Sequence, residues 1–223
     1  VVVKSFQSTY WQAAIQGIDA AVEELGVTVN TTGPNAESDI ADQVNMLNNA
    51  ISQKPDGIAL AANDQNAVLD SLQDALDADI PVVCFDTGVP EAPEGSVIAT
   101  IATDNESAGA VAAENMYPII KDAIANASGQ VRIGEVNQDA TSANISGRGM
   151  GFINKMKELI EADGKTVAVI GNQFYVDQVE NNGDEGSADV IIEVAVPAQT
   201  TVELSATEAS NSYSGRGYCW CRI

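Results

Sequence analysis

Two large aromatic side chains stand side by side at Tyr10 and Trp11, in a loop that leaves the apolar run Val1-Val2-Val3 and leads into a helix. Small molecules bind open parallel α/β sheets outside the carboxyl ends of the strands. An exposed Tyr-Trp pair there offers flat apolar faces with polar handles, a combination that suits a sugar ring. The competing reading makes both rings core residues at a helix start. Catalysis finds little support: the chain has no histidine, so the commonest general base is missing, and no cysteine pattern has the spacing of a metal site. Gly147-Arg148-Gly149-Met150-Gly151 is glycine-rich but lacks the spacing and strand-to-turn placement of a dinucleotide fingerprint. The expectation is a binding protein, not an enzyme, with no cofactor and no metal.

Hydrophobic periodicity sets out the strands and helices around these residues. Apolar runs of strand length at 1–3, 27–30, 57–61 and 81–85 alternate with helical patterns at 13–25, 40–51 and 67–76, which predicts a parallel sheet covered by helices. Ile40, Val44, Leu47 and Ile51 form one helix face, Gly26 ends the preceding helix, and Cys84 reads as a small buried hydrophobe. A Gly- and Pro-rich connector over 87–95 precedes a strand at 97–102. A second series then follows, with helices at 105–125 and 149–160 and strands at 131–136, 167–170 and 190–194. Residues 172–188, rich in Asn, Asp, Glu and Gly, are expected to form a loop or a partly ordered insertion. The fold class is α/β, with two doubly wound, Rossmann-like lobes over 1–103 and 104–209, joined near Thr103, Asp104 and Asn105.

Charge narrows the partners. Thirty-two acidic residues against ten basic ones give a formal charge of −22, which repels a phosphate backbone, so nucleic acid is not an expected partner. No apolar stretch reaches the ~18 residues of a membrane span. The chain begins directly in a strand, so an export signal is expected to have been removed or left out.

Five short motifs recur in one order: Phe6-Gln7-Ser8-Thr9-Tyr10-Trp11; Pro55-Asp56-Gly57-Ile58; Ile80-Pro81-Val82-Val83 with Phe85-Asp86; Thr103-Asp104-Asn105 with Ala108-Gly109; and Arg148-Gly149-Met150-Gly151-Phe152. In that order and spacing the chain resembles the periplasmic sugar-binding proteins of ABC importers, of the ribose-binding type. The resemblance implies two lobes closing over a sugar held between aromatic rings. Tyr10 and Trp11 match the stacking pair, and Gln7 and Ser8 match polar positions of the same loop. Asp86 matches a carboxylate that accepts two hydroxyl hydrogens, and Thr87 stands where the ribose binders carry an arginine, which argues against ribose itself. Arg148 matches an arginine of the second lobe, and Asp104 and Asn105 match the hinge crossing. A carboxylate only accepts and a guanidinium only donates, so Asp86 and Arg148 together would satisfy a polyhydroxylated ring. The plainer alternatives are a turn cap for Asp86 and a surface ion pair for Arg148. For Asp104 the plainer reading, a helix N-cap, is favoured over ligand contact.

Past Pro197 the resemblance fades, and residues 210–223 differ in composition, with nothing apolar enough to complete a strand. Family members continue further, so the second lobe is expected to be incomplete and the 210–223 tail to lie outside the fold, as after a frameshift or an early stop. The expected function is an extracytoplasmic solute-binding protein, in the periplasm or as a cell-surface lipoprotein of a Gram-positive bacterium. It would deliver a sugar-like small molecule to ABC importer membrane subunits. The alternative is the ligand-sensing core of a LacI-like transcriptional regulator.

Overall fold

A computed structural model describes the backbone of residues 1–213 and 218–222 and the side chains of residues 1–210. The chain forms two compact units, Val1–Thr103 with Thr141–Ala143, and Asp104–Ala140 with Asn144–Ile223.

In the first unit, α1 (Thr9–Leu25) and α2 (Ile40–Ser52) precede β1 (Ile58–Leu60), α3 (Leu69–Asp77), β2 (Val82–Phe85) and β3 (Val97–Ile101). The strands pair in parallel in the order β1-β2-β3. The opening valines extend this sheet: Val2 forms parallel bridges to both Leu60 and Thr32, and its N–H donates to Ala59 O at 2.8 Å. The strand expected over 27–30 is therefore corrected to a single bridge at Thr32. Val27 and Val29 are exposed, and among the described residues the pairing at Thr32 is with residues 1–3. Gly26 adopts φ 64° at the end of α1 and donates to Val22 O, a left-handed stop that glycine takes without strain. Leu47 and Ile51 of α2 join Val2, Leu60, Leu72 and Cys84 in the core, with Val44 packed against it. Full burial of a leucine such as Leu47 or Leu72 contributes about 2 kcal/mol. Burial also pushes the Cys84 thiol up to about 11, so it sits there as an inert hydrophobe.

The second unit runs α4 (Asn105–Ala125), β4 (Val131–Val136), α5 (Ala143–Ala162), β5 (Val167–Gly171), α6 (Gln173–Val176), β6 (Val190–Ala195), α7 (Val202–Tyr213) and β7 (Tyr218–Arg222). Its sheet is parallel throughout, in the order β5-β6-β4-β7. α4 and α5 approach closely through two glycines: a Cβ at Gly109 would fall on the Arg148 carbonyl, and one at Gly151 on the Glu106 carbonyl. The expected insertion over 172–188 is ordered in part by Asn182. Its side chain accepts from Val169 N–H at 2.8 Å and donates to Val169 O at 2.9 Å, standing in for a strand neighbour.

Three expectations are corrected. α1 starts at Thr9 rather than 13, so Tyr10 and Trp11 lie in its first turn and not in the loop before it. α5 starts at Ala143 rather than 149, because small and polar residues there hide the apolar period while close packing favours the helix. The expectation that no strand follows residue 210 also fails: Tyr218–Arg222 pairs in parallel with β4, from Arg132↔Tyr218 to Val136↔Arg222. An edge strand with unpaired amides accepts such a segment, and its aromatic residues favour extended backbone. Among the described residues, no helix is long and apolar enough to cross a membrane.

Candidate functional site

In the first unit the polar side chains gather where parallel strands end. Asp86 follows β2 with φ 63°, its N–H donating to Ile101 O, while the Thr87 N–H donates back to Phe85 O at 2.7 Å. That three-residue turn holds Asp86 in the left-handed region, which aspartate tolerates better than most side chains. Its Oδ1 accepts from the Tyr10 hydroxyl at 2.7 Å. Its Oδ2 lies 3.8 Å from the ammonium of Lys4, a side chain only 2% exposed. Charge and desolvation explain the pairing, since a buried ammonium needs a facing carboxylate.

The aromatic pair divides in role. Tyr10 is 60% exposed, whereas Trp11 is buried at 1%, so the expected exposed pair is corrected to one exposed ring and one core ring. Trp11 meets Tyr10 and Phe85 edge-on, with centroids 5.1 and 6.0 Å away, and its indole N–H donates to Glu37 at 2.9 Å. It packs in a small cluster with Val3 and Ala61 and forms the wall behind Tyr10. Gln7 is exposed and Ser8 half-buried; Ser8 stands at the N-cap position of α1 without a side-chain capping bond. Thr87 is buried.

Sequence reasoning missed two members of this cluster, Lys4 and Asn63. Asn63 follows β1, is 3% exposed, and its Nδ2 donates to Lys4 O at 3.1 Å while its N–H donates to Gln43. Its Oδ1 is left without a partner, an exception among buried polar atoms. The available signal was positional: each is the first polar residue to close an apolar strand run at the binding edge.

In the second unit, Asp104 caps α4. Its Oδ1 accepts the Ser107 N–H at 3.0 Å and its Oδ2 the Ser107 hydroxyl at 2.7 Å. These bonds hold its carboxyl below the usual aspartate range. Arg148 lies within α5, where Nε and Nη2 donate to Asn105 Oδ1 at 3.1 and 2.6 Å. The structure thus joins Arg148 to a residue of the expected hinge rather than to a surface carboxylate. Thr103 and Asp104 are the last residue of one unit and the first of the next. At the end of β4, Glu135 and Asn137 are both buried, and Asn137 Nδ2 donates to Glu135 Oε1 at 2.6 Å.

A groove of about 480 Å³ lies elsewhere on the first unit, against Val1, Val29, Ile58, Val83 and Ile98. None of the ligand residues expected from sequence lines it.

With that geometry in hand, the likenesses to known proteins are consistent. The chain is 28% identical to the ABC transporter periplasmic-binding protein YphF of Escherichia coli over 78 residues, 35% of this chain and 24% of YphF. A solved structure named an ABC transporter, LacI family transcriptional regulator from Brachyspira murdochii matches with a TM-score of 0.69 and 30% identity, over 94% of this chain and 60% of that one. An ABC transporter solute binding protein from Agrobacterium vitis, with bound D-fucose, matches with a TM-score of 0.62 and 29% identity, over 78% of this chain and 67% of that one. The chain thus spans about a quarter of YphF in the matched region and 60% of the Brachyspira protein. The fold is that of type I periplasmic binding proteins, present here in part. Matched from residue 1 to residue 200 by the family's model, the chain belongs to the periplasmic binding protein domain family.

Proposed function

We propose that this chain is an extracytoplasmic solute-binding protein that captures a sugar or sugar-like molecule for an ABC importer. The observation that carries the reading is the Tyr10–Asp86–Lys4 cluster at the strand ends of the first unit. It places an exposed aromatic ring beside a carboxylate acceptor and an ammonium donor, which together serve the apolar face and the hydroxyls of a sugar. Gln7, Ser8 and Asn63 extend the acceptor and donor set, Thr87 and Trp11 shape its floor, and Arg148 with Asn105 braces the segment after Thr103, which acts as hinge. The D-fucose bound by the Agrobacterium vitis relative supports carbohydrate as the ligand class. Periplasm and a lipid-anchored cell surface are both compatible locations.

The second reading, a sensing core of a LacI-like regulator, is suggested by the name of the Brachyspira neighbour. The charge of −22 favours the transport reading, because this chain itself would be repelled by DNA.

A thermal-shift screen of monosaccharides, polyols and nucleosides tests the proposal, since a ligand that binds only the folded state raises Tm. A sugar hit is expected for the wild type, weakened at least tenfold in Tyr10→Ala and in Asp86→Asn. A sugar that stabilises both variants as well as the wild type would remove the cluster from the site.

A further inference from the structure

We propose that Glu135 is a proton switch built into the second unit: its carboxyl group, enclosed where α5 and α6 pack on β4, leaves that packing intact while it carries a proton and loosens α5 and α6 from β4 when the proton leaves. Glu135 lies in β4 and is 0% exposed. Oε1 accepts one hydrogen bond, from Asn137 Nδ2 at 2.6 Å, and Oε2 has no hydrogen-bond partner.

The elements around it close the space a carboxylate would need for hydration. On α5, a Cβ at Gly149 would lie 2.9 Å from Glu135 Oε1, 2.6 Å from Asn137 Nδ2 and 2.8 Å from the Tyr175 ring. From α6, Tyr175 is fully buried and its hydroxyl donates to Asp139 O at 2.8 Å. On β6 its register partner is the apolar Val194, and β7 brings Cys221 into register.

Among the described side chains, the ionisable group that faces it is Tyr175, which is not a cation and which in turn lies near Asp139. Arg148, next to Gly149 on α5, donates to Asn105 instead. A carboxylate here would keep one amide donor against the full cost of desolvation, so the neutral acid is the stable form. Burial pushes the carboxyl up to about 8, opposed only by the Asn137 bond.

Linkage fixes the sign. The unfolded chain releases this proton near the ordinary glutamate value of about 4.3, the folded chain near 8, so the folded state binds the extra proton in between. Relative stability falls as pH rises through that window and is level above it. The test uses the full chain and Glu135→Gln, a neutral isostere. The Tm difference between variant and wild type should widen steadily from pH 5 to 8 and then stay constant, by several degrees in all. Hydrogen exchange across 143–176, compared at equal pH, should be faster in the wild type than in the variant, by a larger factor above pH 8 than at pH 6. Carbon-13 NMR of the wild-type glutamate carboxyls, which does not depend on the variant folding, should show one that titrates near 8. A Tm difference that is flat with pH, or a set of glutamates all ionised at pH 6, overturns the proposal. Equal exchange above pH 8 overturns the loosening.

Discussion

Trp11 and Tyr10 are sequence neighbours with opposite duties, and substitution should separate them. Removing a fully buried indole leaves a cavity beside Val3, Ala61 and Phe85 and frees the Glu37 acceptor, so Trp11→Ala should cost about 3–5 kcal/mol in urea denaturation. Tyr10→Ala, at an exposed ring, should change stability by less than about 1 kcal/mol while abolishing the sugar-induced Tm shift. The reverse pattern, a stable Trp11→Ala that has lost its ligand response, would make Trp11 a docking ring after all. Sequence placed Tyr10 at the sheet edge through a local signal, the apolar strand run that ends just before it, and Asp86 there through the family resemblance. It missed Lys4 and Asn63, whose roles arise from the burial of polar groups between neighbouring strands, which residue spacing alone does not report. For the same reason it could not give Arg148 its partner: the bond to Asn105 joins the start of α4 to the second turn of α5.

The α4–α5 pair shows what the glycines of the recurring motifs do. They are neither a phosphate cradle nor turns; Gly109 and Gly151 sit inside helices and let two backbones touch. Gly109→Ala and Gly151→Ala should each destabilise by about 1–3 kcal/mol, because a methyl group must push the helices apart. A neutral or stabilising outcome at both positions would mean the helices are looser than their packing indicates. Asp104 supplies a second test at this scale. Its carboxyl is held low by Ser107, so the cap contributes above the ordinary aspartate range and is lost as pH falls through its lowered folded value. Asp104→Asn, which caps without titrating, should therefore lose less stability than the wild type on acidification, as followed by Tm against pH. Most elements were legible, since alternating apolar runs and helical stripes are set by neighbours in sequence. The strand at 218–222 was not: its pairing comes from the open edge of β4, far away along the chain.

The two-unit α/β architecture could be read from the two successive series of strands and helices, while the overall charge adds a property that no element carries. Within the first 103 residues the only basic side chains are Lys4 and Lys54, and Lys4 is buried. The surface of that unit therefore carries carboxylates with almost no cations to offset them, and the whole chain bears −22. Self-repulsion of this kind opposes the compact state and acts over distances that salt controls. The screening length falls from about 10 Å at 0.1 M ionic strength to about 3 Å at 1 M, which removes most repulsion between exposed carboxylates on neighbouring turns and strands. Tm should accordingly rise by several degrees as sodium chloride goes from low to molar concentration, with most of the gain before the screening length drops below the spacing between charges. Replacing exposed acids on α3, such as Asp70 and Asp74, by asparagine should flatten that curve by raising the low-salt end. A Tm insensitive to sodium chloride yet raised by sulfate would trace the effect to general exclusion of salt from the surface rather than to charge, and would show that the unit tolerates its carboxylates without screening.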